Sequence, residues 1–185
     1  MKIIVLDEFT VLQQVQLTDV PEIFHTIDSQ REYMGRWLTF VEHTECEDDT
    51  RAVVELMVSV PPENMAYTFV IRQHGEFAGL IGLKDTDRMN IRTEIGYWLS
   101  EPFQGRGIMT SAVRALCGFV FDELSLNRVQ IKCAVGNMPS NRIPQRLGFV
   151  LEGIEREGEC AGDGTFRDLN VYSMLADEWN AGKNK

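Results

Sequence analysis

Cysteine and histidine are scarce in this chain. Among 185 residues there are four cysteines (Cys46, Cys117, Cys133, Cys160) and three histidines (His25, His43, His74). No two cysteines form a CxxC pair and the histidines are scattered, so the spaced ligand sets of a zinc site are missing and no metal is expected. Cys117 and Cys133 fall in apolar runs and read as buried free thiols. Long hydrophobic runs are missing too. The apolar run Ile3 to Leu6 is too short for a signal-peptide core, and no stretch approaches a membrane span. These absences point to a reducing cytoplasm and no membrane partner. Positive charge is outweighed: Lys and Arg total 18 against 28 Asp and Glu, a net charge of −10. Such a surface repels phosphate backbones, which argues against nucleic-acid partners and suits a cationic one such as an amine. Internal repeats and low-complexity segments are also lacking.

What is present is an ordinary globular composition, 44% hydrophobic and 25% charged. The length suits one domain whose core needs no disulfide or metal staple. Residues 1–180 read as that domain and residues 181–185 as a loose tail. Phe9 to Leu17 reads as a strand. Thr18 or Asp19 caps a helix with Pro21 in its first turn. Further helices are expected over Arg31 to Phe40 and over Asp48 to Val58, the latter with Val53, Leu56 and Met57 as its apolar stripe, until Pro61 and Pro62 stop it. Ala66 to Arg72 and Phe77 to Leu83 flank a polar turn and read as a hairpin. Strand Ile91 to Leu99, helix Ile108 to Leu124 and strand Arg128 to Val135 form a βαβ unit with parallel strands. A short helix over Ser140 to Leu147, a strand Phe149 to Gly158 and a last strand Arg167 to Leu175 follow. The class is α/β with a mixed sheet of about seven strands, antiparallel first and parallel in the middle, flanked by helices.

The chemistry concentrates in Glu101 to Thr110, where a strand ends, a glycine turn follows and a helix begins. The first N–H groups of a helix lack intrahelical partners and its dipole favours an anion there. Gly105 and Gly107 let the backbone approach such an anion, and phosphate or pyrophosphate is the natural guest. A Walker A loop is absent, and Gly105-Arg-Gly107-Ile-Met-Thr110 lacks the third glycine of a Rossmann fingerprint. On spacing alone, a phosphate cradle and a plain strand-to-helix turn both stand.

The run Ile95 to Thr110 resembles the coenzyme A segment of the GNAT acetyltransferase superfamily. Downstream, Asn137, Ser140 and Asn141 leading into Leu147-Gly148-Phe149 resemble a second motif of that family. The nearest branch is the ribosomal-protein N-acetyltransferase type (RimJ/RimL). The resemblance covers nearly the whole chain and is strongest from Glu94 to Phe149. It implies a single GNAT-like domain whose two central parallel strands splay apart. It also implies acetyl-CoA as co-substrate. Its pantetheine arm would pair with Tyr97, Trp98 and Leu99, and its pyrophosphate would rest on Gln104, Gly105, Arg106, Gly107, Ile108, Met109 and Thr110. Asn137 and Asn141 would add polar contacts; turn and cap chemistry is their plain alternative.

Aminolysis of a thioester needs a neutral amine, a stabilised oxyanion and a protonated leaving thiolate. The resemblance gives Ser140 the role of acid and Glu159 that of base. Ser140 also suits a helix N-cap, and Glu157 competes with Glu159. Pro144 removes a helix donor and is expected to distort the turn that aims Ser140. The acceptor would be gripped by the early helices, with Tyr33, Arg36 and Trp37 as candidates, although Tyr33, Trp37 and Phe40 equally suit a core stripe. A protein N-terminus of the ribosomal kind is the expected acceptor. A small amine and a non-catalytic acyl-CoA-binding module are the alternatives, and a homodimer is compatible with the resemblance.

Overall fold

The computed structural model of the protein describes residues 1–183. One eight-stranded sheet runs through it: β1 (Ile3–Val5), β2 (Thr10–Gln14), β3 (Thr68–Gln73), β4 (Glu76–Asp87), β5 (Arg92–Leu99), β6 (Arg128–Ala134), β7 (Val150–Cys160) and β8 (Phe166–Leu175). The spatial order is β1-β2-β3-β4-β5-β6-β8-β7. Every neighbouring pair is antiparallel except β5 and β6. The extra strand over the expected seven is β1, a three-residue edge strand with Ile3 and Val5 exposed, too short to show an alternating pattern.

Among the described residues six α-helices flank the sheet: α1 (Val20–Ser29), α2 (Arg31–Gly35), α3 (Glu47–Ser59), α4 (Ile108–Gly118), α5 (Met138–Leu147) and α6 (Ala176–Lys183). On one face α4 buries Val113 and Leu116 against Ile95, Val129 and Ile131. On the other, α1 and α3 bury Val20, Ile23 and Val54 against Val70 and Leu80. Burying each such side chain contributes about 1.5–3 kcal/mol, which is ample to fix both layers.

Several elements differ from the sequence-based expectation. The helix expected over Arg31 to Phe40 stops at Gly35, and a 3-10 turn follows over Thr39–His43. Arg31 holds this change of course by donating to the carbonyls of Val41 at 3.0 Å and Thr44 at 2.6 Å. The buried residue of α2 is Met34, whereas Phe40 is exposed and Tyr33 and Trp37 are half-buried. In α3 the buried positions are Thr50 and Val54, with Met57 half-buried; Val53 and Leu56 face solvent. Asp19 holds the N-cap position of α1, as expected, but its side chain makes no capping bond to the helix. Its carboxylate turns back to accept from the Gln16 N–H at 2.8 Å and pairs with Arg72 at 2.7 Å. The long helix after Gly107 is α4 continued by a π turn over Phe119–Glu123. The segment read as a loose tail is helical as far as Lys183, because Trp179 of α6 packs on Phe121 with ring centroids 5.7 Å apart. Residues 184–185 of that expected tail lie outside the described residues.

Candidate active site

The parallel pairing of β5 with β6 lasts three residues: Arg92 to Arg128, Thr93 to Val129 and Glu94 to Gln130. Beyond Glu94, β5 stays with β4 as far as Leu99, and β6 stays with β8 as far as Ala134. The two strands therefore part, and the side of β5 that faces the gap loses its hydrogen-bonding neighbour. A cleft of about 620 Å³ opens there. It is lined by Tyr97, Trp98 and Leu99 of β5, by the glycine turn, and by residues of α2 and α5.

The glycine turn closes one end of the cleft. Gly105 and Gly107 take φ of +73° and +79°, a region that favours glycine. An added Cβ at either position would meet nothing within 4 Å, so the turn presents open backbone. The first helical N–H of α4 to bond back is that of Ser111, to Gly107 O at 3.0 Å. The N–H groups of Ile108, Met109 and Thr110 precede it and have no intrahelical acceptor. Arg36, Arg142 and Arg146 line the same cleft, and among the described residues none of them is in an ion pair. Free amides at a helix N-terminus and three guanidinium groups outside any ion pair, all lining one cleft, fit a ligand bearing several phosphates, which coenzyme A is. Arg142 and Arg146 escaped the sequence reading because a helix must be docked before its outward cations acquire a direction.

Ser140 stands at the other wall. The N-cap of α5 is Asn137, whose Oδ1 accepts from the Ser140 N–H at 3.3 Å, so Ser140 sits inside the first turn. Its hydroxyl is thereby released from capping. It lies 3.1 Å from Cys133 Sγ and donates to Tyr97 Oη at 3.3 Å. Pro144 lacks the N–H that would bond to Ser140 O, yet α5 runs unbroken through it. The Tyr97 hydroxyl supplies the missing bond, donating to Ser140 O at 3.2 Å. The expected distortion at Pro144 is thus absorbed by β5. Burial holds the Tyr97 hydroxyl well above its usual pKa, so it stays a donor at physiological pH. Burial likewise raises the Cys133 thiol, which keeps it protonated beside Ser140.

Fourteen of the residues singled out from the sequence line this cleft: Tyr33, Arg36, Trp37, Tyr97, Trp98, Leu99, Gln104, Gly105, Gly107, Ile108, Met109, Thr110, Asn137 and Ser140. Three do not. Arg106 turns onto the Phe103 ring at 5.7 Å. Asn141 is buried, and all four of its hydrogen-bonding positions are used. It donates to Ala134 O and Asn137 O at 2.9 and 2.8 Å and accepts from Asn170 and Tyr172 at 2.7 and 3.0 Å. It therefore has no capacity for a coenzyme and serves to fix α5 to β6 and β8. Glu159 lies beside the cleft rather than in it, 3.6 Å from Arg167, whose guanidinium lies over the ring of cleft-lining Trp37 at 5.5 Å. Glu157 is exposed and has a positive φ of 53°, with its N–H held by Asp168 at 2.8 Å. Among the described residues no cluster of metal-ligating side chains occurs.

Among the described residues, a mixed sheet whose one parallel pair parts beside a glycine turn with free amides suits a coenzyme A-dependent acyltransferase. The model of the acetyltransferase (GNAT) domain matches residues 10–150, and the chain belongs to that family. YdaF of Bacillus subtilis (strain 168), provisionally named a ribosomal N-acetyltransferase, is 33% identical over 183 residues, covering 96% of this chain and 97% of its own. The ribosomal-protein-serine acetyltransferase of Escherichia coli (strain K12) is 32% identical over 166 residues, 90% of this chain and 92% of its own. Among solved structures, the ribosomal L7/L12 alpha-N-protein acetyltransferase RimL in complex with coenzyme A superposes with a TM-score of 0.90 at 27% identity, covering 96% of this chain and 99% of that one. The protein is an acetyl-CoA-dependent N-acetyltransferase.

Proposed function

We propose that the protein acetylates the α-amine of a protein N-terminus, of the kind its ribosomal-protein relatives modify, by direct attack within a ternary complex. The observation that carries this reading is the two-sided gap between β5 and β6. Ser140 and the glycine turn stand on the face covered by α4 and α5. Glu159 pairs with Arg167 in β8, and alternation along that strand sets Arg167 opposite Tyr172 and Met174, which pack beneath α4. Donor and acceptor would thus meet from opposite faces of one opening.

Bound acetyl-CoA supplies the activated acetyl thioester. In this reading Arg36, Arg142, Arg146 and the N–H groups of the α4 turn hold its phosphates. The gap-facing amides of Tyr97 to Leu99 lie along its arm. An α-amine is protonated below about pH 8 and must lose a proton to attack, which Glu159 accepts directly or through water. Among the backbone N–H groups of β5, those of Tyr97 and Leu99 point away from β4 into the gap and face the charge that develops on the acyl oxygen. Ser140 donates its hydroxyl proton to the departing sulfur, a group of pKa about 8.5 that needs only a weak acid. A cytoplasmic setting accords with this; no helix among the described residues is long and apolar enough to cross a membrane.

The test offers the enzyme serine- and alanine-initiated peptides, the same peptides with blocked N-termini and an internal lysine, and a polyamine, with the product mapped by mass spectrometry. Acetylation confined to free α-amines is expected. Ser140→Ala and Glu159→Gln should each lower kcat by about 10²-fold or more while leaving acetyl-CoA affinity within about twofold. Preferred modification of the polyamine would overturn the acceptor assignment.

A further inference from the structure

Arg167, the second residue of β8, stands opposite Glu159 in the β7–β8 register. Its guanidinium is more elaborately placed than a surface cation needs. The charged plane lies over Trp37 at 5.5 Å, and the edge of that ring packs within 3.4 Å of where a Cβ at Gly136 would stand. Nη1 approaches Glu159 Oε2 at 3.6 Å, too far for a hydrogen bond. The same Nη1 is shut off from solvent and has no hydrogen-bond partner. A donor withdrawn from water with nothing to donate to is rare in folded proteins, and it points to an acceptor atom delivered from outside. Trp37, the residue beneath it, lines the cleft.

We propose that Arg167 and Glu159 together read the α-amino carbonyl unit of a chain terminus, Arg167 donating to the carbonyl oxygen of the acceptor's first residue while Glu159 receives its amine. This rests on the N-terminal acetylation reading above and deepens it. In a chain terminus the amine donor and the carbonyl acceptor sit side by side on one Cα–C unit. Here a carboxylate and a guanidinium whose Nη1 lacks a hydrogen-bond partner sit side by side to meet them. A polyamine or a lysine side chain brings the amine without the carbonyl and leaves Nη1 unsatisfied. Glu42, whose carboxylate crowds the space beside Gly162, and Asp163, whose carboxyl is held below its usual pKa mainly by Thr165 and in small part by Arg167, add negative charge at the same corner. That favours the amine over a competing anion at Arg167.

The experiment compares serinamide-type acceptors with amino alcohols of the same size that lack the carbonyl, in wild type, Arg167→Met and Arg167→Lys. Wild type should favour the carbonyl-bearing acceptor by about 10- to 100-fold in kcat/KM, the value of a hydrogen bond to a charged group. Arg167→Met should lose most of that preference through the acceptor KM, and Arg167→Lys should keep part of it. Calorimetry of an N-terminal peptide binding to the coenzyme A complex should show the same loss without any turnover. If Arg167→Met or, should that variant not fold, Arg167→Lys slows both acceptors equally and leaves the ratio intact, Arg167 is structural and the proposal fails while N-terminal acetylation stands. If wild type prefers the amine lacking a carbonyl, both fail.

Discussion

At Pro144 the chain gives up a helical hydrogen bond within one turn of Ser140, and Tyr97 on another element restores it. The arrangement ties the aim of Ser140 to the strand that borders the gap. Since burial keeps the Tyr97 hydroxyl protonated, that tie does not titrate near neutral pH. Tyr97→Phe should cost about 1–2 kcal/mol, because Ser140 O is left without a donor. Pro144→Ala returns an N–H to the helix, so in that background Tyr97→Phe should cost roughly half as much, a coupling of about 0.5–1 kcal/mol. Urea unfolding of the four proteins measures it. Strict additivity would show that the tyrosine hydroxyl is not standing in for the proline. The tyrosine variant should also lower kcat without weakening acetyl-CoA, since no phosphate contact is touched.

Among the elements, β5 carries the consequence of the splay. Its amides that point toward β4 are paired along the strand from Glu94 to Leu99, while those that point toward the gap have lost β6 beyond Glu94. Hydrogen exchange resolved to single amides should find slow and fast positions alternating from Ile95 to Leu99 in the free protein. Coenzyme A should slow the fast set selectively and leave β1 and α3 unchanged. Uniform protection of the whole strand would instead indicate general rigidification. Much of this element pattern was legible in the chain. The glycine turn, the Asn137-to-Ser140 turn and the βαβ order all announce themselves within a few residues. What was hidden depends on partners distant in sequence. Arg142 and Arg146 needed α5 to be docked, and Asn141 needed Asn170 and Tyr172 to show that it is fully committed to the framework. The early end of α2 was missed because Arg31 binds carbonyls 10 and 13 residues ahead, a tertiary preference that outweighs helical periodicity.

Taken whole, the molecule is one sheet from β1 to β7 with cores on both faces, so no line of weakness separates the coenzyme turn from the acceptor corner. Strands β5 and β6, which border the gap, are braced by β4 and β8 outside it. The protein should therefore unfold in a single transition. A ligand that engages the α4 turn should raise the stability of the entire chain rather than of one part. At about 100 times its dissociation constant, acetyl-CoA adds about 2.7 kcal/mol. For a chain of this size that corresponds to a rise of about 5–10 °C in Tm. NADH, whose fingerprint the glycine turn lacks, should leave Tm unmoved. Gly107→Glu forces a side chain into a positive-φ position and sets a carboxylate at the turn proposed above to hold the phosphates. Measured against its own ligand-free baseline, that variant should lose the acetyl-CoA shift entirely. A shift that survives the substitution would move the phosphate site away from the α4 turn and leave Arg36, Arg142 and Arg146 as its remaining anchors.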